Sequence, residues 1–377
     1  MLREAAGLKH ARIEQHRTRW PVSLSCEVSG ASASGYHGPA SIGLHLTVVL
    51  DLFGRHLQWL RLAREAMQTI LGANGVIGHE LSRSLSASTD RIRQVSRNPR
   101  RINASDETVA ADLLDPEATA RAIAGSDVAY LVAGLKYDAA VWQAQWPRVM
   151  RNVIDGCKRH GCRLVFFDNV YAYGKVDGPM TEQTPFNPCS RKGEVRARIA
   201  TMLLDEMRSG NLQAMIVRSA DFYGPGAVQS FPHVTVFERL KAGKTPQWVG
   251  NAEALHTFTY TPDAGRAVAV LGQSAQAYGQ TWHVPTTKEP LTGEGFVRLA
   301  CELAGRPYGM QVAPRWVLRL MGLFVPVLRQ NNEMMYQFEH DYLFDSGKIE
   351  AAHGLEPTPC RTGIAACLTD RSANAAA

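Results

Sequence analysis

The sequence lacks cysteines spaced for a metal site, and it lacks a strong excess of either charge. Its seven cysteines are an odd number and form no CxxC pair, which disfavours a disulfide framework or structural zinc and favours reduced thiols in a cytoplasmic protein. The formal charge of the 377 residues is only +6, and residues 1–66 hold half of it, with eight Lys or Arg against five Asp or Glu. The remainder is nearly neutral, which argues against nucleic acid as a partner.

A long apolar run is also missing. The stretch WVLRLMGLFVPVL (316–328) contains Arg319 and Pro326. It is shorter than the roughly 20 residues that a membrane-spanning helix needs. We therefore predict an amphipathic helix packed on its own domain and no membrane partner.

Residues 1–66 show no clear period of a helix or a strand, and their charged start is unlike a signal peptide. We interpret them as a disordered or misassigned N-terminal extension, because a strand opens at the internal Met67. The predicted organisation continues with a nucleotide-binding domain at 67–225 and a smaller, mainly substrate-side lobe at 226–367. Some segments of that lobe are expected to return to the sheet, and 368–377 are expected to form a disordered tail.

Strand and helix patterns alternate after this extension. A helix is predicted at 146–161, and others separate the strands. Short, almost wholly apolar strands are predicted at 68–71, 92–97, 127–134, 163–170 and 213–220. This pattern indicates a parallel sheet covered on both faces, and right-handed crossovers then give an α/β, Rossmann-like, doubly wound fold.

The stretch GANGVIG lies directly between the first strand and the first helix. Its glycines follow the spacing G-x-x-G-x-x-G, which suits a tight turn, a close backbone approach to a pyrophosphate and tight packing of helix on strand. The helix N-terminus adds free N–H groups and the positive end of the helix dipole. We predict that this loop binds a dinucleotide through Gly72, Asn74, Gly75, Val76, Ile77 and Gly78.

The second strand lacks the acidic residue that accepts hydrogen bonds from the ribose of NAD. It ends in VSRNPRR, which supplies Arg97, Arg100 and Arg101. A guanidinium can pair with a 2′-phosphate through two parallel hydrogen bonds. NADP is therefore the favoured cofactor and NAD the alternative, unless these arginines only form a solvated loop.

Seven segments together resemble the extended short-chain dehydrogenase/reductase family, also called the NAD(P)-dependent epimerase/dehydratase family, over residues 67 to roughly 367. The resemblance places Asp112 by the adenine and Ala133 and Gly134 beside the nicotinamide-side ribose. It also implies a small-molecule substrate and a possible homodimer formed by two helices of each subunit. The segments are GANGVIG, ADLLDP (111–116), LVAG (131–134), FFDNVYAYG, IVRSADFYGPG (216–226), FTYTPDAGRAV (258–268) and FDSGKIEAAHGLEPTP.

The usual catalytic set of that family is incomplete, so the chain is identified as an atypical member. Asn169 stands where the family has Ser or Thr, four residues before Tyr173. Cys189 stands at the position of the helix-borne Tyr, and Gly193 at that of the Lys, with Lys192 one residue earlier. A nucleophilic role for Cys189 is disfavoured because no His is near it in sequence.

Tyr171 and Lys175 have the sequence spacing of the missing Tyr/Lys pair but not its expected helical setting. The pair works on one face of a helix, where residues four apart are neighbours. Here they follow a strand and enter a turn, so the two side chains are not expected to converge. Asn169, Tyr171 and Tyr173 would nevertheless lie on one side of an extended chain beyond the carboxyl end of a central strand.

These residues leave two interpretations open. Asn169, one of the tyrosines and Lys192 could serve a hydride-transfer reaction, with Lys192 also reaching the nicotinamide ribose. Alternatively, the tyrosines are wall residues and Lys192 is solvated. The leading hypothesis is an NADP-dependent oxidoreductase or epimerase/dehydratase-type enzyme acting on a carbonyl or alcohol group. A non-catalytic dinucleotide-binding regulator is the alternative, and the missing Tyr weakens a nucleotide-sugar epimerase.

Overall fold

The computed structural model describes residues 65–314 and 326–370. The predicted extension at 1–66 lies outside these residues, apart from Glu65 and Ala66. The predicted amphipathic helix also lies outside them up to residue 325. The final helix runs through Thr369, past the predicted start of the tail at 368, and 371–377 are not among the described residues.

Seven parallel strands form the central sheet, in the order β11-β6-β5-β4-β1-β2-β3. In chain order the strands are β1 (Gln68–Leu71), β2 (Ile92–Ser96), β3 (Glu107–Ala110), β4 (Val128–Leu131), β5 (Arg163–Asn169), β6 (Ala214–Ser219), β7 (Asp221–Tyr223), β8 (Gln247–Val249), β9 (Leu255–His256), β10 (Phe258–Tyr260), β11 (Thr281–His283), β12 (Leu291–Thr292) and β13 (Gln311–Ala313). The predicted Rossmann-like, doubly wound sheet is confirmed. The order reverses between β1 and β4, where open α/β sheets bind ligands.

Helices cover both faces of this sheet and build the smaller lobe. They are α1 (Val76–Leu85), α2 (Pro116–Ile123), α3 (Ala139–His160), α4 (Arg191–Arg208), α5 (Glu238–Lys241), α6 (Thr261–Gln273), α7 (Gly293–Leu303), α8 (Pro326–Asn331), α9 (Gly347–His353) and α10 (Cys360–Thr369). Two 3₁₀ turns matter for the site, at Tyr171–Tyr173 and Asn332–Phe338. Among the described residues, no helix is both long and apolar enough to cross a membrane.

Helix α3 begins earlier than the sequence pattern predicted. The prediction started it at 146, which would place Pro147 in the first turn, where proline is tolerated. Instead, Asp138 caps the helix by accepting hydrogen bonds from the amides of Ala140 (2.9 Å) and Val141 (3.1 Å), and Pro147 lies inside it. The earlier start brings the helix N-terminus to the carboxyl edge of the sheet, beside β4 and β5.

The smaller lobe has a hydrophobic core of its own, although it remains joined to the sheet. Trp248, Phe258 and Phe296 are buried there and contact one another edge-on or tilted. These aromatic residues therefore build a core and do not line an open pocket. Two segments of the lobe return to the main sheet: β11 pairs with β6, and α6 packs on α1.

The contact between α1 and α6 depends on a glycine. A Cβ on Gly265 would lie 2.6 Å from the Cβ of Glu80, on the facing helix. Real Cβ atoms do not approach so closely, so any side chain at 265 must push the two helices apart. Helix α1 begins at the predicted nucleotide loop, so its contact with α6 holds in place the helix that follows this loop.

We predict that Gly265→Ala lowers the free energy of unfolding by about 1–3 kcal/mol, the usual range for overpacking. Urea unfolding followed by circular dichroism measures it. Gly309→Ala is the matched control, because a Cβ at 309 would meet only a Thr245 methyl at 3.6 Å. Equal stability of the two variants would contradict the account of this helix contact.

Candidate active site

The turn after β1 lies very close to the end of β4. Gly72 has a φ of +98°, a conformation that glycine alone adopts without strain. A Cβ at this position would overlap the Cα of Ala133 and lie 2.6 Å from its nitrogen. Gly78 is confined in a similar way, because a Cβ there would lie 2.7 Å from the carbonyl oxygen of Ala73. Bare backbone therefore forms the surface that a ligand would meet at this turn.

The first turn of α1 presents unused amides at the same place. Gly75 is the N-cap residue and provides no side-chain cap, and the first turn contains no acidic residue. The amides of Val76, Ile77 and Gly78 have no partner within the helix, as in any first turn. Together with the positive end of the helix dipole, they favour an anionic group. A diphosphate fits this cradle in both charge and backbone access.

Positive charge also surrounds the end of β2. Arg97 is exposed, and Asn74 Nδ2 donates a hydrogen bond to the carbonyl of Asn98 (2.8 Å), which ties the glycine loop to this segment. Burial lowers the pKa of His79 on α1, and the nearby charges of Arg83 and Arg100 lower it further. Arg100 therefore lies close to the first helix. The arginines that follow β2 are next to the candidate phosphate cradle.

The other predicted cofactor residues follow β3 and β4. Asp112 is exposed, and its Oδ1 accepts a hydrogen bond from the amide of Leu114 (3.0 Å). Ala133 lies against Gly72, and Gly134 has open space where a Cβ would point. The three positions share the carboxyl edge of the sheet with the glycine loop. Whether they contact a cofactor stays a prediction.

The chain does not stay extended after β5, so the expectation that Asn169, Tyr171 and Tyr173 share one side is wrong. A 3₁₀ turn begins at Tyr171, and Asn169 Oδ1 accepts a hydrogen bond from the Tyr171 amide (3.1 Å). The Asn169 Nδ2 group makes no hydrogen bond within the part of the chain that the structure describes. Lys175 is exposed beyond the turn and makes no contact with Tyr171. The two residues therefore do not form the Tyr/Lys pair that their spacing resembles.

Tyr171 belongs to an aromatic group at the carboxyl edge of the sheet. Its ring stacks on Trp142, with 6.3 Å between ring centroids, and its hydroxyl is 3.5 Å from that of Tyr137. Burial, followed by the neighbouring Tyr137, raises the pKa of Tyr171 well above its usual range. The phenol is therefore neutral at physiological pH and already has a phenolic neighbour.

Tyr173 lies in the interior and does not line a pocket. It is fully buried, its hydroxyl donates to His283 Nε2 (2.9 Å), and it accepts a hydrogen bond from Arg218 Nη1 (2.9 Å). His283 Nδ1 donates to the carbonyl of Asp345 (2.8 Å), which fixes Nε2 as an acceptor. The predicted catalytic role of Tyr173 does not agree with this position, because a substrate would first have to displace its structural partners.

A buried carboxylate joins two guanidinium groups beside Tyr173. Asp168 on β5 pairs with Arg196 of α4 (2.9 Å) and Arg218 of β6 (3.2 Å). The guanidinium of Arg196 also lies over the ring of Trp146, 4.6 Å from its centroid. Burial lowers the pKa of Arg196, and Asp168 opposes that shift. The group holds β5, β6 and α4 together beneath the candidate site.

Lys192, in the first turn of α4, is fully buried and its ammonium is saturated. Its Nζ lies 2.7 Å from the Gln330 carbonyl oxygen, 3.2 Å from Gln330 Oε1 and 2.7 Å from Glu333 Oε1. An ammonium has three N–H donors, and three acceptors occupy them. The expectation of a solvated Lys192 is therefore wrong, and a ribose could bind this ammonium only by replacing one of these acceptors.

We call residues 326–338 the strap, because this segment crosses the carboxyl edge of the sheet. Glu333 also accepts a hydrogen bond from the amide of Arg191 (3.0 Å). Gln330 Oε1 accepts from the amide of Ala139 (3.0 Å), and Gln330 Nε2 donates to Asp138 Oδ2 (3.0 Å). The strap therefore joins the N-terminal ends of α3 and α4.

Sequence reasoning missed several residues of this region. Asp168 and Arg218 had a usable signal, since each is a charge next to an apolar run in a central strand. Glu333 and Tyr336 had none, because they lie more than 140 residues after α4 begins and carry no motif.

A family model described as "NAD dependent epimerase/dehydratase family" matches residues 69–284. Among curated proteins, the chain is similar to a 3-diazoavenalumate denitrifying reductase from Streptomyces sp. The two are 26% identical over 271 residues, which cover 68% of this chain and 87% of the reductase.

Solved structures share the fold at lower identity. The crystal structure of gox2253 matches with a TM-score of 0.69 and 19% identity over 82% of this chain and 98% of its own. DesIV, a dTDP-glucose 4,6-dehydratase from Streptomyces venezuelae with NAD and TYD bound, matches at 0.68 and 19% over 82% and 97%. The NAD complex of UDP-glucose 4-epimerase from Thermus thermophilus matches at 0.65 and 19% over 80% and 97%.

The buried hydrogen bonds of His283 predict a dependence of stability on pH. Burial lowers the pKa of His283 to about 3, so the folded protein holds it neutral while the unfolded chain protonates it near pH 6.5. The stability that neutral His283 contributes to the folded protein is fully present above pH 6.5 and is lost as the pH falls toward 3. Between these values wild type should lose up to about 1.4 kcal/mol per pH unit more than His283→Gln.

Urea unfolding at a series of pH values measures both slopes. His340→Gln is the control, because His340 is exposed and its replacement should leave the wild-type slope unchanged. Parallel slopes for wild type and His283→Gln would show that His283 does not need to be neutral in the folded protein.

Proposed function

The chain belongs to the NAD dependent epimerase/dehydratase family, and from that membership we propose that it is an NADP-dependent reductase of a small organic molecule. The observation that carries the proposal is the cradle formed by Gly72, Ala133 and the uncapped start of α1. Such a cofactor, when bound, supplies a hydride to the substrate. The protein's residues then have to bind the diphosphate, position the acceptor and handle any proton.

The diphosphate would lie on the amides that follow Gly75. No side chain of the described residues caps them, and a side chain at Gly72 would overlap Ala133. Asn74 steadies the loop through its bond to Asn98. These features fit a pyridine dinucleotide whether or not it carries a 2′-phosphate.

The preference for NADP rests on the residues after β2. Arg97 is exposed there, and Arg100 is close enough to influence His79 on α1. Two guanidinium groups would attract the 2′-phosphate, whereas the ribose diol of NAD would find no carboxylate at the end of this strand. NAD is therefore the weaker ligand in this account.

A carbonyl is the first candidate for the hydride acceptor. The free Nδ2 group of Asn169 can donate a hydrogen bond to a carbonyl oxygen, in place of the usual Ser hydroxyl. Structural neighbours include proteins named for dehydration or epimerisation of nucleotide sugars. Those reactions are less favoured here because Cys189 stands where the family carries its catalytic Tyr.

A second candidate acceptor is a diazo or diazonium carbon, which the relative named as a denitrifying reductase suggests. In such a reaction a hydride takes the place of the nitrogen group, the C–N bond breaks and dinitrogen leaves with its electron pair. No proton has to be supplied when the acceptor is a diazonium ion. The absence of a helix-borne Tyr at Cys189 is compatible with that chemistry.

Cofactor preference gives the first test of function. We expect isothermal titration calorimetry to show tighter binding of NADPH than of NADH. Arg97→Ala should weaken NADPH binding by about 1.5–3 kcal/mol, typical of a hydrogen bond to a charged group, and leave NADH binding nearly unchanged. Arg121→Ala is the control, because Arg121 is an exposed arginine on α2, away from this loop.

Two results would contradict this assignment. Tighter binding of NADH would overturn the NADP preference, and failure of both cofactors to bind would overturn the reductase. Binding of NADPH without oxidation by any aldehyde, ketone or diazonium salt would instead favour a non-catalytic dinucleotide-binding regulator.

Acceptor chemistry gives the second test. NADPH oxidation is followed at 340 nm with a panel of aryl aldehydes, aryl ketones and a benzenediazonium salt, and products are identified by chromatography. A denitrifying reductase should form one benzene and one dinitrogen per NADPH, above the rate with heat-inactivated protein. Turnover of carbonyls alone would reject the second candidate.

A further inference from the structure

The strap places a tyrosine on the same side as the glutamate that holds Lys192. Glu333 and Tyr336 lie three residues apart in the 3₁₀ turn Asn332–Phe338. Side chains at i and i+3 eclipse each other in a 3₁₀ helix, so the two point the same way. Because Glu333 contacts Lys192 and the amide of Arg191, Tyr336 also faces the beginning of α4.

The hydroxyl of Tyr336 is a polar group without a hydrogen bond among the described residues. Its oxygen is shielded from solvent, and within residues 65–314 and 326–370 no group forms a hydrogen bond with it. Leaving a buried polar group unsatisfied costs roughly 1–3 kcal/mol, so such groups call for an explanation. A hydroxyl that meets its partner only when a ligand is bound provides one.

The surroundings of this hydroxyl are those of the missing catalytic Tyr. Burial raises the pKa of Tyr336, and Cys189, Asp221, Tyr137 and Glu333 lie near enough to raise it further. Cys189 is the residue that occupies the family's Tyr position. The phenol therefore lies within electrostatic range of that position but comes from a different part of the chain.

We propose that Tyr336 is the proton donor of the reductase and replaces the phenol that Cys189 cannot supply. This inference rests on the proposed function, because it assigns a residue to the same site. Two other phenols nearby are already engaged: Tyr171 with Tyr137, and Tyr173 with His283 and Arg218. The buried hydroxyl of Tyr342 also lacks a hydrogen bond within the described residues, but Tyr342 lies outside the strap, and its ring stacks on His256. Glu333 is a positioning residue, since it fixes the strap to Lys192.

The proton step balances for a carbonyl acceptor. The carbonyl carbon gains a hydride and forms a C–H bond, and the π pair of the C=O bond moves to oxygen. The oxygen takes the proton from the Tyr336 hydroxyl, and water returns a proton to the phenolate. Reduction of a diazonium ion would not use Tyr336, because no atom of that product takes up a proton.

The first readout does not require turnover. The positive ring of NADP⁺ next to a phenol favours the phenolate and lowers the pKa of that phenol. We expect ultraviolet difference titration at about 295 nm to show one tyrosine ionising at lower pH in the NADP⁺ complex than in the free protein. Tyr336→Phe should abolish this shift. Tyr308→Phe, which removes an exposed tyrosine away from the strap, should retain it.

The second readout uses the best carbonyl substrate of the panel. Tyr336→Phe should lower kcat by about 10²–10⁴-fold, the usual contribution of a positioned acid, without weakening NADP⁺ binding. Glu333→Gln should also lower kcat, by a smaller factor, because the strap loses its ionic anchor. Tyr308→Phe should keep the wild-type kcat.

Three results would overturn the proposal: a tyrosine shift that persists in Tyr336→Phe, a wild-type kcat in that variant, or turnover of diazonium salts alone. Failure of NADP⁺ to bind the wild-type protein would remove the proposed function itself, which calorimetry detects separately. If Tyr336→Phe binds NADP⁺ normally and still shows the wild-type tyrosine shift, only the role of Tyr336 is overturned and the proposed function stands.

Discussion

The close approach of the turn after β1 to the end of β4 governs the rest of the site. A side chain at residue 72 would overlap Ala133, so only glycine fits at this position. Gly72 also has a positive φ, which glycine adopts without strain. The same turn leaves the first amides of α1 uncapped. A single steric constraint therefore produces a surface of bare backbone, positive in character, at the reversal point of the sheet.

The sequence was informative wherever a local rule decides the structure. The apolar strands and the glycine spacing predicted the parallel sheet and the tight turn between its first strand and first helix, because burial on both faces and backbone freedom each leave a pattern in neighbouring residues. Helix α3 was predicted to begin at 146, although its N-cap residue is Asp138 and Pro147 lies inside the helix. Strands β3 and β11 were missed: β3 is a largely exposed edge strand and β11 has only three residues.

The candidate chemistry could not be predicted in the same way, because contacts distant in sequence decide it. Lys192 is saturated by Gln330 and Glu333, about 140 residues further along the chain. Tyr173 looked like a site residue by motif, yet Arg218 and His283 hold it in the interior. The departures from the family's motif thus coincide with a candidate site in which the strap contacts the start of α4, where the resemblance places the family's Tyr and Lys.

The most direct test of this account is a crystal structure of the protein with NADP⁺ bound. The account predicts density for the diphosphate against the amides of residues 76–78, beside Gly72 and Ala133, with the 2′-phosphate near Arg97. It also predicts the nicotinamide near Asn169 and the strap. A diphosphate elsewhere on the protein, or a turn that stays empty at saturating NADP⁺, would contradict it.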